Sequence, residues 1–241
     1  MSVEAPGGSG AAPQRRVALI SGASRGIGAA VARQLDASGW ALSLGMRTPA
    51  ALDGLAGDAH VARHDALNAD EDDWVNSALA HHGRIDAVIC CAGVMIPQSA
   101  ITIGDDDLDR MWEINVKSPR RLVAAAWPEL CRPGNGRVVI AASLSGKRVK
   151  TAASGAYAIT KHAAVALGHG LRQAGWESGI RTTILCPGFV DTDMAREITD
   201  FPSEHMTRPI DVARLVELSL DLPNSAALTE LTVNCQIEEQ Y

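Results

Sequence analysis

Apolar and polar positions alternate along this chain in a regular way. Short runs rich in Val, Ile and Leu predict strands, and these are VALIS (17–21), ALSL (41–44), HVARH (60–64), DAVIC (86–90), RVVIAA (137–142), RTTILC (181–186) and ELTVN (230–234). Between them, alanine-rich segments of helical period predict helices near 27–38, 70–82, 105–127, 155–177 and 211–220, with a weaker one near 50–55. Strands and helices that alternate in this way are typical of a parallel sheet with helices on both faces. The pattern therefore predicts an α/β fold, a Rossmann-like doubly wound parallel sheet of about seven strands.

Composition adds a domain count and a location. The 241 residues suit one large α/β domain, and nothing in residues 16–241 is typical of a linker. Hydrophobic residues make up 46% of the chain and aromatic residues only 4%, so the core must be built from small aliphatic side chains. Residues 1–15 carry Gly and Pro throughout and lack the apolar stretch of a signal peptide, which predicts a flexible extension. We therefore expect a single domain at 16–241 and a cytoplasmic protein.

The charge and the cysteine count argue against several classes of partner. The net charge is −6 and no basic run occurs, so we expect neither a nucleic-acid partner nor a membrane surface. A small-molecule substrate fits this balance better. The five cysteines are odd in number and form no C-x-x-C pair, which indicates reduced thiols. The seven histidines show no ligand spacing, so no metal is expected.

A glycine-rich loop follows the first predicted strand. Its glycines are spaced G-x-x-x-G-x-G and stand just before an apolar-periodic helix. Glycine there lets the backbone turn tightly and approach a pyrophosphate, which then lies on the N–H groups of the helix N-terminus. The spacing differs from G-x-G-x-x-G, so the geometry of that fingerprint is not assumed. The candidate dinucleotide-binding residues of the loop are Gly22, Ser24, Arg25, Gly26, Ile27 and Gly28.

The end of the second strand favours one dinucleotide over the other. Met46 stands about where many dinucleotide folds place an acid for the adenosine ribose, and Arg47 follows it. An acid would repel a phosphorylated ribose and a guanidinium would attract it, so Arg47 and Arg25 favour NADP(H) over NAD(H). The alternative is that both arginines are solvated surface residues. Asp65, after the third strand, either hydrogen-bonds the adenine amino group or caps a helix.

Tyr157 and Lys161 are the strongest candidates for chemistry. Tyr157 is the only tyrosine besides the last residue, Tyr241, and Lys161 follows four positions later, on the same face of a predicted helix. A phenol titrates near pH ~10, and a neighbouring ammonium lowers its pKa, which makes the pair a tunable proton donor and acceptor. The alternative is a core tyrosine with a surface lysine. Ser143, at the end of the fifth strand, favours the catalytic interpretation.

With these motifs, the sequence resembles the short-chain dehydrogenase/reductase family of single-domain type. The resemblance covers nearly all of residues 15–235, and the motifs keep the family's order and spacing. They are SGASRGIG (21–28), CAGV (91–94), INVKS (114–118), Ser143, YAITK (157–161) and CPGFVDTDM (186–194). The resemblance implies reversible hydride transfer between a nicotinamide cofactor and a carbonyl/alcohol pair.

The resemblance also implies roles for particular residues. Tyr157 would be the general acid toward a ketone or the base toward an alcohol, and Lys161 would lower its pKa and bind the nicotinamide ribose. Ser143 would hold the substrate oxygen, and Asn115 would anchor a water that links Lys161 to solvent. Further cofactor contacts are implied for Ala92, Gly93, Tyr157, Lys161, Pro187, Gly188, Val190 and Thr192. Pro187 and Gly188 are also compatible with a simple turn.

The chain departs from the family pattern at three places. Cys90 and Cys91 replace two asparagines near the adenosine, and Ser21 replaces a threonine. The ending ELTVNCQIEEQY takes the place of a glycine-rich one. Besides an NADP(H)-dependent enzyme, two alternatives stay open, an NAD-dependent alcohol dehydrogenase and a catalytically silent dinucleotide-binding regulator.

The substrate-lining residues are predicted from their place in the chain, and the subunit assembly is predicted from the resemblance. The segment 194–209, in which family members set substrate preference, is short, which indicates a small substrate or a partly open site. Candidate substrate-lining residues are Met95, Ser145, Val149, Phe189 and His205. The resemblance implies a homotetramer or homodimer formed through the helix of Tyr157, while its Ala and Gly residues equally suit close packing within one chain.

Overall fold

The computed structural model of the protein describes residues 15–57 and 59–238. The predicted N-terminal extension therefore lies, except for Arg15, outside the described residues, and so does Tyr241.

Within the described residues, seven parallel strands form one sheet and confirm the predicted fold class. They are β1 (Val17–Ser21), β2 (Ala41–Met46), β3 (His60–Arg63), β4 (Ala87–Cys90), β5 (Arg137–Ala141), β6 (Arg181–Pro187) and β7 (Glu230–Val233). The spatial order is β3-β2-β1-β4-β5-β6-β7. The chain thus runs outward from β1 to β3 and then returns to place β4 on the other side of β1. A crevice opens at such a reversal, beyond the carboxyl ends of the strands.

Seven α-helices connect the strands of the described region. They are α1 (Gly26–Ala37), α2 (Glu71–His82), α3 (Asp105–Trp112), α4 (Ser118–Cys131), α5 (Gly155–Gly175), α6 (Asp193–Ile198) and α7 (Pro209–Asp221). The helix predicted at 105–127 is divided into α3 and α4 by a π-helical turn at Glu113–Lys117. Among the residues that the structure describes, no helix is both long enough and apolar enough to cross a bilayer.

The weak helix predicted near 50–55 is wrong. This segment is irregular and turns at Gly54, whose φ of +82° belongs to the left-handed region that glycine favours. Side chains of α1 hold it in place, since Arg33 Nε donates to the Asp53 carbonyl at 2.8 Å and Asp36 accepts from the Ala56 N–H. Although the segment is rich in alanine and leucine, it forms a loop that packs on α1.

Two apolar layers cover the sheet. Helices α1 and α7 pack on one face, where Val31 and Val216 are fully buried. Helices α2, α4 and α5 cover the other face. Helix α5 lies very close to the sheet, because a Cβ at Gly168 would overlap the side chain of Ile184 on β6. Gly168 therefore serves packing within the chain, and this packing fixes the height of the helix over the sheet.

Candidate active site

A single continuous cleft of about 1040 Å³ runs along the carboxyl ends of the strands. It brings together most of the residues that the sequence singled out. The predicted residues that line it are Gly22, Ser24, Arg25, Gly26, Ile27, Gly28, Arg47, Asp65, Ala92, Gly93, Met95, Ser143, Ser145, Tyr157, Lys161, Pro187, Gly188, Phe189, Val190 and Thr192. Two substrate candidates lie elsewhere, since Val149 is 59% exposed outside the lining and His205 is exposed beside Phe201. The roles of Val149 and His205 toward a substrate stay predictions.

The glycine loop is shaped as a cradle at one end of the cleft. Gly22 has a φ of +67°, and a Cβ there would lie 2.7 Å from the backbone nitrogen of Ala92. A Cβ at Gly28 would overlap the carbonyl oxygen of Gly22, so neither glycine can carry a side chain without a shift of the backbone. Helix α1 begins next to it, and no side chain caps its first N–H groups. Free N–H groups at a helix N-terminus, reached through a tight turn, fit the pyrophosphate of a dinucleotide.

The ribose end of the cleft carries two arginines and no acid on β2. Arg47 is exposed and lines the cleft next to Met46, which is buried. Arg25 also lines it, and its Nη1 lies 2.9 Å from a carboxylate oxygen of Asp193 at the start of α6. Asp65 lines the cleft and accepts a hydrogen bond from the Leu67 N–H at 3.1 Å, so it also stabilises its own turn.

Tyr157 and Ser143 meet deep in the cleft. Ser143 follows β5, and its hydroxyl accepts a hydrogen bond from the Ser145 N–H at 3.0 Å, which fixes its rotamer. Tyr157 lies in the first turn of α5 and is buried. Burial raises the pKa of the Tyr157 phenol far above its usual range, and a hydrogen bond with Ser143 opposes that shift. The phenol is therefore protonated at neutral pH, the form that donates a proton.

The Lys161 ammonium lies close to the Tyr157 ring, but its hydrogen-bond partner is a backbone carbonyl. Its Nζ donates to the Ala141 carbonyl at 2.8 Å and lies 5.6 Å from the centroid of the Tyr157 ring. Burial lowers the pKa of Lys161 to about 8. The Lys161 ammonium is bound by the Ala141 carbonyl in this structure, and the lowering of the phenol pKa by Lys161 stays a prediction.

Asn115 lies behind the cleft, in the π-helical turn. Its Oδ1 accepts from the Val94 N–H at 2.9 Å, and its Nδ2 donates to the Val94 carbonyl at 2.9 Å and to Thr160 Oγ1 at 3.0 Å. The side chain thus joins the segment after β4 to helix α5. A Cβ at Gly93 would lie 3.4 Å from Asn115 Oδ1 and 3.5 Å from Lys161 Nζ, so both groups border the same glycine. Single π-turns are frequent at functional sites.

The two adjacent cysteines, Cys90 at the end of β4 and Cys91 directly after it, are free thiols, as are the other three. Cys90 is buried in the core, whereas Cys91 lines the cleft. Burial raises the pKa of Cys91 to about 12, and it raises that of Cys90 further. Both thiols are therefore protonated and unreactive at neutral pH, which leaves them a packing role beside the cradle.

The sequence analysis missed a charged cluster at the other end of the cleft. Arg148 and Lys150 follow Ser143 in the chain, and Glu238 reaches them from the C-terminal segment. Arg148 Nε donates to Glu238 Oε2 and Arg148 Nη2 donates to Glu238 Oε1, both at 2.6 Å. Lys150 Nζ lies 3.3 Å from Glu238 Oε1. These residues are about 90 positions apart, so no local pattern could have joined them.

The chain is similar in sequence to known oxidoreductases. The family model described as short chain dehydrogenase matches residues 16–203. An agropine synthesis reductase of Rhizobium rhizogenes is 39% identical over 235 residues, which cover 93% of this chain and 54% of that protein. An uncharacterized oxidoreductase of Staphylococcus haemolyticus is 34% identical over 90% of this chain and 96% of its own length. This chain thus spans about half the length of the reductase and nearly all of the staphylococcal protein.

Solved structures show the same architecture. An alcohol dehydrogenase from the archaeon Thermococcus sibiricus, complexed with 5-hydroxy-NADP, superposes with a TM-score of 0.80 at 28% identity, covering 90% of this chain and 95% of that one. A metagenomic short-chain oxidoreductase in complex with NADP gives a TM-score of 0.77 at 25% identity, covering 92% and 98%. The fold and the cleft define a dinucleotide-binding oxidoreductase scaffold. The chain belongs to the short-chain dehydrogenase family.

Proposed function

We propose that this protein is an NADP(H)-dependent oxidoreductase that interconverts a carbonyl compound and a secondary alcohol. The observation that carries the proposal is the position of Tyr157, Ser143 and Lys161 in the same cleft as the glycine cradle. A protonated phenol, a fixed hydroxyl and an ammonium lie together at the carboxyl ends of the strands. This is the set of groups that carbonyl reduction needs.

The chain's own residues would handle the oxygen of the substrate. A bound nicotinamide supplies a hydride to the carbonyl carbon in reduction and accepts it in oxidation. In the reductive direction, the substrate oxygen takes its proton from Tyr157 Oη while the Ser143 hydroxyl donates a hydrogen bond to it. In oxidation, the Tyr157 phenolate takes that proton back. The reduction product carries one new C–H bond and one new O–H bond.

Lys161 would support the phenolate that remains after the proton leaves. With a pKa of about 8, Lys161 is mostly charged at neutral pH. An ammonium near the ring stabilises phenolate, because opposite charges attract strongly in a site with little water. Asn115 would act through Lys161 and the backbone, as it ties the segment of Gly93 to α5. We propose Asn115 as a positioning residue and the other three as catalytic residues.

Two observations support the reductive direction and the phosphorylated cofactor. A 39% identical relative is a reductase by name, and two structural neighbours are complexes with NADP or a derivative of it. In this chain, the ribose end has Arg47 and Arg25 where an acid would favour NAD(H). Arg25 shares its charge with Asp193, so Arg47 is the arginine proposed to bind the 2′-phosphate.

Fluorescence titration with NADPH and NADH tests this proposal. We expect wild-type protein to bind NADPH at least tenfold more tightly than NADH, and Arg47→Ala to remove most of that difference. Arg208→Ala is a matched control, because Arg208 is exposed, pairs with Asp211 and does not line the cleft. Equal affinity for the two dinucleotides in wild type, unchanged in Arg47→Ala, would contradict the choice of NADP(H) and favour NAD-linked alcohol oxidation.

Assembly and location remain predictions. We propose a homotetramer or homodimer, supported by the 45% exposed Ile159 on the outer face of α5. Among the glycines of that helix, Gly168 and Gly175 pack against Ile184 and Ile180 of the same chain, whereas a Cβ at Gly170 would meet nothing within 4 Å. A cytoplasmic location is proposed on the sequence alone. Sedimentation equilibrium would give the number of subunits directly.

A further inference from the structure

The C-terminal segment after β7 brings a carboxylate into the cleft. Glu238 lines the cleft with its side chain 13% exposed, and Arg148 facing it is 17% exposed. The guanidinium binds the carboxylate through two parallel hydrogen bonds of 2.6 Å, and the Lys150 ammonium lies 3.3 Å from one of its oxygens. Planar, bidentate pairing of this kind is the usual way in which arginine recognises a carboxylate.

The two cations are part of the wall of the substrate end. Arg148 and Lys150 belong to the chain segment that begins at Ser143 and ends at Tyr157. Both cations line the same cleft as Ser143 and Tyr157. Thr151 and Ser154 form a reciprocal capping arrangement at the 3-10 turn Ala152–Ser154, which directly precedes α5. Arg148 and Lys150 lie in the irregular part of this segment, just before Thr151, and line the cleft in which a carbonyl substrate would lie.

The carboxylate is carried by the tail at residues 234–238, which follows β7 and forms no regular secondary structure. Ile237, next to Glu238, is fully exposed, so its apolar side chain does not fasten the tail to the protein. The polar contacts of the preceding residues are single hydrogen bonds, such as Lys150 Nζ to Gln236 Oε1 at 3.1 Å and Cys235 Sγ to the Phe189 carbonyl at 3.5 Å. Hydrogen bonds from Arg148 lower the pKa of Glu238 to about 2, so the carboxylate stays ionised, and an incoming carboxylate that forms the same bidentate pair offsets the loss of Glu238.

We propose that Arg148 and Lys150 form a binding site for the carboxylate of an anionic carbonyl substrate, and that Glu238 occupies this site until substrate replaces it. The inference rests on the proposed function and names its substrate class, a ketone or aldehyde that carries a carboxylate. Because Glu238 is tethered, it competes as a local carboxylate at an effective concentration in the millimolar range. A free carboxylate therefore binds more weakly to wild type than to a variant without Glu238.

Calorimetric titration of the free protein with glutarate tests this site without any turnover. We expect Glu238→Ala to bind glutarate at least tenfold more tightly than wild type, and the double variant Glu238→Ala with Arg148→Ala to lose that gain. Asp211→Ala is a matched control, because it also frees an arginine from bidentate pairing, at 2.8 and 2.9 Å to Arg208, but outside the cleft. It should gain no affinity for glutarate. Dimethyl glutarate, which is neutral, should bind none of the variants measurably.

The other outcomes are equally decisive. If Glu238→Ala binds glutarate no more tightly than wild type, or if the gain survives the loss of Arg148, the proposal is overturned. Tighter binding of inorganic phosphate than of glutarate by Glu238→Ala would overturn the choice of a carboxylate. NADPH titration of the same variants keeps the two proposals apart. A gain in glutarate affinity without any NADPH binding would retain the carboxylate site and contradict the proposed function.

Discussion

Lys161 Nζ donates a hydrogen bond of 2.8 Å to the carbonyl oxygen of Ala141. This contact joins helix α5 to the last residue of β5, directly before the segment of Ser143. It holds the ammonium 5.6 Å from the centroid of the Tyr157 ring, and it does so in a site that is almost closed to water. Burial of an ammonium with one carbonyl partner costs desolvation free energy. We therefore expect Lys161 to reduce the stability of the protein in return for function.

Replacement of Lys161 by Met should stabilise the protein while it removes activity. The folded-state pKa of about 8 lies below the ordinary 10.5, so burial of the ammonium opposes folding by roughly 3 kcal/mol at neutral pH. Loss of the donor to Ala141 offsets about 1–2 kcal/mol of this. We expect thermal unfolding at neutral pH to shift upward by about 2–6 °C. A lower melting temperature for Lys161→Met would contradict this assignment of the burial penalty.

The glycine cradle gives a second prediction with an internal control. Gly22 and Gly39 both have a left-handed φ, +67° and +85°, but a Cβ at Gly22 would lie 2.7 Å from Ala92 N and one at Gly39 would meet nothing within 4 Å. Gly39→Ala should cost about 1 kcal/mol of unfolding free energy, from backbone strain alone. Gly22→Ala should cost about 2–3 kcal/mol more, because the cradle must open. Urea unfolding measures both.

Dinucleotide binding separates the two variants further. Gly22→Ala should weaken NADPH binding at least tenfold, whereas Gly39→Ala should leave it unchanged, since Gly39 does not line the cleft. Unaltered NADPH affinity in Gly22→Ala would show that the pyrophosphate does not lie on this turn.

Arg121 connects the adenine side of the cleft with the π-helical turn. It donates to Glu71 at 2.8 and 3.0 Å, to the Ala66 carbonyl at 2.9 Å, and to Glu113. Arg121→Met leaves the Glu71 carboxylate buried without its guanidinium, which should cost about 3–5 kcal/mol in urea unfolding. Further replacement of Glu71 by Leu should recover at least half of that loss.

The pair formed by Arg132, whose side chain is 69% exposed, and Glu129 serves as a control for Arg121. Arg132→Met should change the free energy of unfolding by less than about 0.5 kcal/mol. Similar losses for the two arginines would mean that burial of Glu71 is not the cause.

A histidine cluster on the α2 side makes stability depend on pH. His60 lies between Ser43 Oγ at 2.8 Å and Ser77 Oγ at 3.0 Å, with the rings of His81 and His82 nearby. Burial, followed by the charges of His81 and His82, lowers the pKa of His60 below 6.5. The pKa of His60 is lower in the folded protein than in the unfolded chain, so the unfolded chain binds a proton at a higher pH. The contribution of His60 to stability is therefore complete above pH 6.5 and is lost as the pH falls through the folded-state pKa.

Unfolding free energy measured between pH 5 and 7 checks this prediction. Wild type should lose stability as the pH falls, and His60→Gln should show a smaller slope. His169→Gln is the control, since His169 lies on α5, away from the cluster, beside Glu230. An unchanged slope in His60→Gln would assign the pH dependence to other groups.

The strands could be predicted from the sequence because each is short, apolar and bounded by polar or glycine residues. β1 is observed at the predicted bounds, and β7 differs by one residue. The residues of the cleft could be predicted because parallel strands place their carboxyl ends at one edge. The catalytic roles stay predictions, since they rest on likeness to a family.

Other features depend on contacts between distant parts of the chain. The segment near 50–55 has helical composition but is fixed by Arg33 and Asp36 of α1. Helix α6 has six residues, too few to show a period, and the π-helical turn has no signature in its residue types. The pairing of Arg148 with Glu238 depends on where β7 ends, which only the assembled sheet defines.

The central claim is that Tyr157 donates the proton in an NADPH-dependent reduction. Its most direct test is NADPH oxidation, followed by absorbance, against a set of ketones and keto acids with wild type and Tyr157→Phe. We predict turnover of at least one carbonyl compound by wild type, and a kcat at least 100-fold lower for Tyr157→Phe with an unchanged Kd for NADPH. A Tyr157→Phe rate within a few-fold of wild type, or NADPH binding without reduction of any carbonyl compound by wild type, would contradict the account.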